Sequence, residues 1–140
     1  GNVTITKEMC EDLAASTINS ITLNGLNNGY TVAIAADAAE NAMDLFTFGR
    51  GINEVIVLGT QTITKSPKTI AKVSVKAGAT LNVSKDIVGE VVNEGTVNVK
   101  ANISLGTLKN AGTLVADGNL SNTALYNIGT ILFIHAFSKH

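Results

Sequence analysis

The residues able to do chemistry in this chain of 140 are few: one Cys, two His, one Arg, and 11 carboxylates against 10 Lys and Arg together. Cys10 has no partner for an internal disulfide, and no Cys/His cluster has the spacing of a zinc site. Its neighbours Glu8, Glu11 and Asp12 are acidic, whereas a reactive thiolate needs a base or cation beside it; Cys10 therefore reads as a small buried hydrophobe. His135 lies in an apolar terminal run and His140 is the last residue, a poor basis for a nucleophilic triad. Gly49-Arg50-Gly51 lacks the rest of any phosphate-loop fingerprint. In the C-terminal half the acids are Asp86, Glu90, Glu94 and Asp117. General acid–base work needs two carboxylates roughly 5–10 Å apart, and only Glu90 and Glu94 are spaced to approach that. Calcium would want several oxygens in one cage. No cofactor, metal or catalytic residue is expected.

Composition narrows the class. Only 15% of residues are charged and the net charge is −1, so no dense basic face exists for nucleic acid. Lys65, Lys68, Lys72, Lys76 and Lys85 could form a weak strip toward anionic glycans, but exposed Lys also discourages lateral strand pairing. Hydrophobic residues make up 45% and mean hydropathy is +0.27, too apolar for a disordered tail. The longest uncharged stretches, 13–36 and 118–138, carry Asn, Ser, Thr and Gly throughout, so no transmembrane segment is expected. The 15 Asn, 16 Thr and 13 Gly against one Pro favour short β-branched strands joined at Asn/Gly corners. Four Asn-x-Ser/Thr sites, at Asn2, Asn82, Asn102 and Asn119, follow from that bias. Gly1 reads as the residue left by tag removal, so a signal segment is expected to have preceded it.

The strongest signal is a repeat. Gly78, Gly95, Gly112 and Gly129 recur every 17 residues. Around the last three the text is apolar-x-Asn-x-Gly-Thr-apolar, with Asn93, Asn110 and Asn127 two residues before the glycine; the copy at Gly78 has Lys76 there instead and is degenerate. Seventeen extended residues make about 56 Å of chain, enough to circle a small coil and return one strand spacing higher. Stacked turns then share a core that no single turn could bury. Gly is expected to supply positive φ at the corners, and the Asn residues to stack as an amide ladder. In Thr96-Val97-Asn98-Val99 alternation puts Val97 and Val99 on one face, and a second apolar group follows at Ile103, Leu105 and Leu120.

Earlier segments keep the same grammar at looser spacing: Ile21–Gly25, Asn28–Ile34, Leu45–Gly49, Glu54–Thr60 and Thr62–Thr64. An excursion over 35–44 has Asp37 and Glu40 placed as a capping box for a short helix. Thr6 can cap a helix over 7–16, with Met9, Leu13 and Ala14 on one face, covering the open end of the first turn. The expected organisation is one domain over 1–140, with 1–20 as N-terminal cap, 21–74 as irregular larger turns and 75–140 as regular turns. The apolar run Thr130–Phe137 is followed by nothing that looks like a cap. Phe133 and Phe137 fold over it, or the natural chain continues, or the end pairs with a partner by end-to-end self-association.

The segments Thr4–Met9, Ser20–Gly25 and Gly29–Val32 resemble the capping helix, first strand and corner that open right-handed parallel β-helix proteins of the pectate-lyase-like superfamily. Asn-x-Gly-Thr at Asn93, Asn110 and Asn127 is similar to the repeats of haemagglutinin-like bacterial surface adhesins. The resemblance implies an all-β, single-stranded right-handed parallel β-helix with a short N-terminal capping helix. It also implies a secreted or cell-surface bacterial protein in contact with glycan or protein. Lyases of that fold use Arg or Lys beside calcium-holding carboxylates, and its hydrolases clustered Asp; here Arg50 stands alone and the acids fall at different phases of the repeat. The expectation is a non-catalytic module acting in adhesion or as a rigid spacer, with a glycan-active enzyme, or a fragment of one, as the alternative.

Overall fold

The computed structural model describes residues 2–18, 20–25 and 29–134. Asn28, His135, Phe137 and His140 lie outside them. The chain runs β1 (Val3–Ile5), α1 (Lys7–Ala14), β2 (Ile21–Leu23), β3 (Tyr30–Ile34), α2 (Ala42–Leu45), β4 (Phe46–Phe48), β5 (Ile52–Val57) and β6 (Thr60–Ile63). It continues through β7 (Lys68–Val75), β8 (Thr80–Val83), β9 (Ile87–Asn93), β10 (Thr96–Val99), β11 (Leu105–Asn110), β12 (Thr113–Ala116), β13 (Ala124–Asn127) and β14 (Thr130–Phe133). The odd-numbered strands from β1 to β13, with no even member, follow one another in a seven-stranded sheet; β6, β8, β10, β12 and β14 form a five-stranded sheet, and β2 pairs with β4. Each pairing is parallel, so the molecule is an all-β parallel β-helix. At about 4.8 Å per strand, the seven-stranded sheet is on the order of 30 Å long.

One inward column shows how the winding tightens. Ile5 is level with Ile34, then Val57, Val75, Asn93, Asn110 and Asn127, so successive steps are 29, 23, 18, 18, 17 and 17 residues. Near-regular winding thus begins at Val57. Period-two alternation builds each wall: along β10, Val97 and Val99 are fully buried while Thr96 and Asn98 face outward. The third side of the core holds Ile70, Ile87, Ile103 and Leu105, and Ile103 bridges to Leu120 one turn on.

The glycines of the repeat have a different cause from the one their corner position suggests. Gly95, Gly112 and Gly129 are not among the residues with positive φ. Instead, a Cβ at Gly112 would stand 2.2 Å from the carbonyl oxygen of Gly95, and one at Gly129 would stand 2.2 Å from that of Gly112. Backbones of consecutive turns touch here, and only a hydrogen fits between them. Gly78 does not belong to this column. Thr80 is level with Thr96, a step of 16, so Ala79 lies under Gly95, while Gly78 turns the corner at φ +85° with open space around it.

At the N-terminal end, Thr6 Oγ1 accepts from Met9 N at 3.2 Å and starts α1. The helix stops at Ala14; Cys10 and Leu13 are its buried residues, Met9 is half-buried and Ala14 is exposed. The excursion's helix is a single turn, α2, that starts after Asn41 without a side-chain cap; Asp37 and Glu40 precede it and form no capping box. Gln61 holds this segment instead, accepting from Met43 N at 3.1 Å and donating to Ala39 O at 2.8 Å. A distant strand supplies the fixing partners that a local box was expected to provide.

In chemical denaturation, Gly112→Ala should cost about 3 kcal/mol, because rigid backbone blocks the added methyl. Gly78→Ala should cost only about 1 kcal/mol, from its left-handed conformation alone. Equal losses at both positions would contradict the close stacking of turns.

Candidate functional site

The buried polar column is the most ordered chemical feature. Asn93 Nδ2 donates to Asn110 Oδ1 at 2.7 Å and to Thr113 O at 2.9 Å. One turn on, Asn110 Nδ2 donates to Asn127 Oδ1 at 2.7 Å and to Thr130 O at 3.1 Å. Asn93 Oδ1 accepts from Gly95 N, and Asn127 Oδ1 from Gly129 N, so these two amides also pin the glycine two residues on. Asn93 and Asn110 are 0% and 1% exposed, and every lone pair and proton used here saves a desolvation cost of about 1–3 kcal/mol. The side-chain donors of Asn93 and Asn110 both point toward the C-terminal end. Its chemistry is structural, because both faces of each inner amide are occupied by neighbouring turns.

The acids do not converge. Asp86 Oδ1 accepts from Ser104 N at 2.9 Å. Glu90 is level with Lys72 on one side and Thr107 on the other, and its carboxylate lies 2.7 Å from Lys109 Nζ. Lys109 donates a hydrogen bond that holds the Glu90 carboxyl below the usual range, with Lys72 adding to it, and Glu90 in turn raises Lys109. Glu94 is exposed beyond the end of β9, and Asp117 borders the depression at the C-terminal end. Among the described residues no three His, Cys, Asp or Glu side chains gather as a metal site. Nor do the lysines form one strip. Lys68 is turned inward, 3.8 Å from Asp44, whose carboxylate also accepts from Thr64 N and Thr64 Oγ1 at 3.1 Å.

A second ladder escaped the sequence reading. Asn98 Nδ2 donates to Asn82 Oδ1 at 2.7 Å, and Asn82 Nδ2 to Thr62 Oγ1 at 3.1 Å, on the outer face of the five-stranded sheet. Its signal was the pair Leu81-Asn82-Val83 and Val97-Asn98-Val99, masked by a spacing of 16.

What solvent meets is a patch on the seven-stranded sheet near the C-terminal end. Lys109 is level with Tyr126, which is 61% exposed; Ile128 is 90% exposed, and a shallow groove of about 220 Å³ runs between them beside Val92 and Glu94. Compared with family models, curated proteins and solved structures, the chain matches none.

Asn110→Ala should lower stability by about 2 kcal/mol, since it leaves the Asn93 amide short of its buried acceptor; an unchanged melting curve would count against the ladder. An NMR titration should find the Glu90 carboxyl ionising below the ordinary glutamate range, and Lys109→Met should raise it toward that range. Because the folded value is depressed, the pair's contribution is present above the ordinary range and disappears as pH falls through the folded value.

Proposed function

We propose that this chain is a non-catalytic β-helix module of a secreted or cell-surface bacterial protein, acting in adhesion through contact with glycan. The observation that carries the reading is the exposed Tyr126 beside Lys109 on a rigid parallel sheet. An aromatic face flanked by fixed polar groups suits the apolar face of a saccharide ring and its hydroxyls, and the ion pair with Glu90 holds Lys109 in place. The resemblance of the Asn-x-Gly-Thr turns to adhesin repeats supports the same reading. A stack held by ladders also suits a stiff rod that sets a contact surface at a fixed distance from its anchor.

A glycan array on the purified chain tests this. Saccharide-specific binding is expected, falling tenfold or more in Tyr126→Ala without a change in melting temperature. A blank array would leave the rod as a spacer. Release of reducing ends or unsaturated sugars from a bound polysaccharide would favour the glycan-active enzyme.

A further inference from the structure

The outer faces of the two large sheets are built differently. On the seven-stranded sheet the outward residues are mixed, with the charges of Glu54, Lys72, Glu90 and Lys109 among them. The strands of the five-stranded sheet hold no charged residue. One of its outward columns is threonine at every level: Thr60, Thr80, Thr96, Thr113 and Thr130. The other starts with Thr62, Asn82 and Asn98 and ends in Val115 and Leu132. Successive steps along the threonine column are 20, 16, 17 and 17 residues. A plain 17-residue repeat does not account for it: the 16-residue step that drops Gly78 from the glycine column still leaves Thr80 level with Thr96.

We propose that the outer face of the five-stranded sheet binds the surface of ice. Parallel strands repeat about every 4.8 Å and alternate residues of one strand about every 6.6 Å, so the two columns form a rectangular grid of side chains. The grid approximates the two oxygen repeats on a prism face of ice: its short edge is slightly longer than the lattice's, its long edge slightly shorter. Each threonine offers a hydroxyl beside a methyl. Water lying in the trough between the columns bonds to the hydroxyls and is hemmed in by the methyls, so its oxygens take up the spacing of the grid. The face is also stiff and level. Asn98 Nδ2 donates to Asn82 Oδ1 at 2.7 Å and Asn82 Nδ2 to Thr62 Oγ1 at 3.1 Å, which fixes the second column. Beside the threonines runs the strip of Gly59, Ala79, Gly95, Gly112 and Gly129, where nothing larger than a methyl stands up.

A protein partner fits this face less well. Five strands of four residues each cover roughly 24 Å by 13 Å, about 310 Å² in all, against the ~800 Å² that each side of a stable protein interface buries. The face holds neither a charge nor an aromatic ring within its first four strands to anchor such a partner. A crystal needs no deep pocket, only a level surface in register with its lattice. This inference does not rest on the glycan reading, whose Tyr126 and Lys109 lie on the other sheet.

The test follows a single ice crystal in a solution of the purified protein under a microscope with a cooled stage. Faceted growth is expected, with a gap between the melting and freezing temperatures of the crystal that widens with protein concentration. Thr96→Lys, at the centre of the threonine column, should shrink that gap tenfold or more while the protein's own unfolding temperature stays the same, and Thr80→Lys should do so independently. Thr69→Lys, at an exposed threonine on β7 outside the face, should leave the gap intact. Rounded crystals without a gap at millimolar protein overturn the proposal. So does a full gap in folded Thr96→Lys and Thr80→Lys, or an equal loss in Thr69→Lys.

Discussion

Contact between the backbones of successive turns is the constraint from which the rest of this molecule follows. When the chain passes directly over itself, carbonyl and amide groups of one turn satisfy those of the next, and inward side chains stack into columns. The passage is so close at Gly95, Gly112 and Gly129 that no side chain could stand there. Each glycine is where one turn rests on another, and the strands on both sides are held in vertical alignment by that fact.

A column has to be chemically uniform, because each member sees only its neighbours above and below. From Ile5 to Val75 it is apolar, and from Asn93 to Asn127 it is amide. The change is tolerated because it happens once and then repeats: an Asn among valines would bury unmet hydrogen bonds, whereas Asn over Asn meets them. The ladder also gives the coil a polarity that an apolar column lacks, since Asn93 and Asn110 both donate to the following turn. Outside the coil, Glu90 lies level with Lys72 and pairs with Lys109 on the seven-stranded sheet, so opposite charges sit side by side there.

The fold was legible where spacing and chemistry agreed. The Asn-x-Gly-Thr period announces turns of constant length, and alternation in Thr96–Val99 tells inside from outside without any coordinates. Legibility failed where a partner came from far along the chain. Asp37 and Glu40 looked like a local box, but Gln61, some twenty residues on, holds that segment. Gly78 looked like a member of the period although a 16-residue step shifts it out of the column. The ladder of Asn82 and Asn98 was hidden by the same irregular step. The patch of Lys109, Tyr126 and Ile128 carries no motif at all, because exposure belongs to a surface and not to a string.

What the amino-acid order determined by itself was the winding: a periodic text admits few ways to bury its apolar positions, and stacking at constant pitch is the one that also pairs every repeated Asn. What only the tertiary structure decided was which residues lie over which and why the glycines are glycine. Those depend on contacts a few ångströms long between residues 16 to 29 positions apart, a distance at which local propensity carries no information.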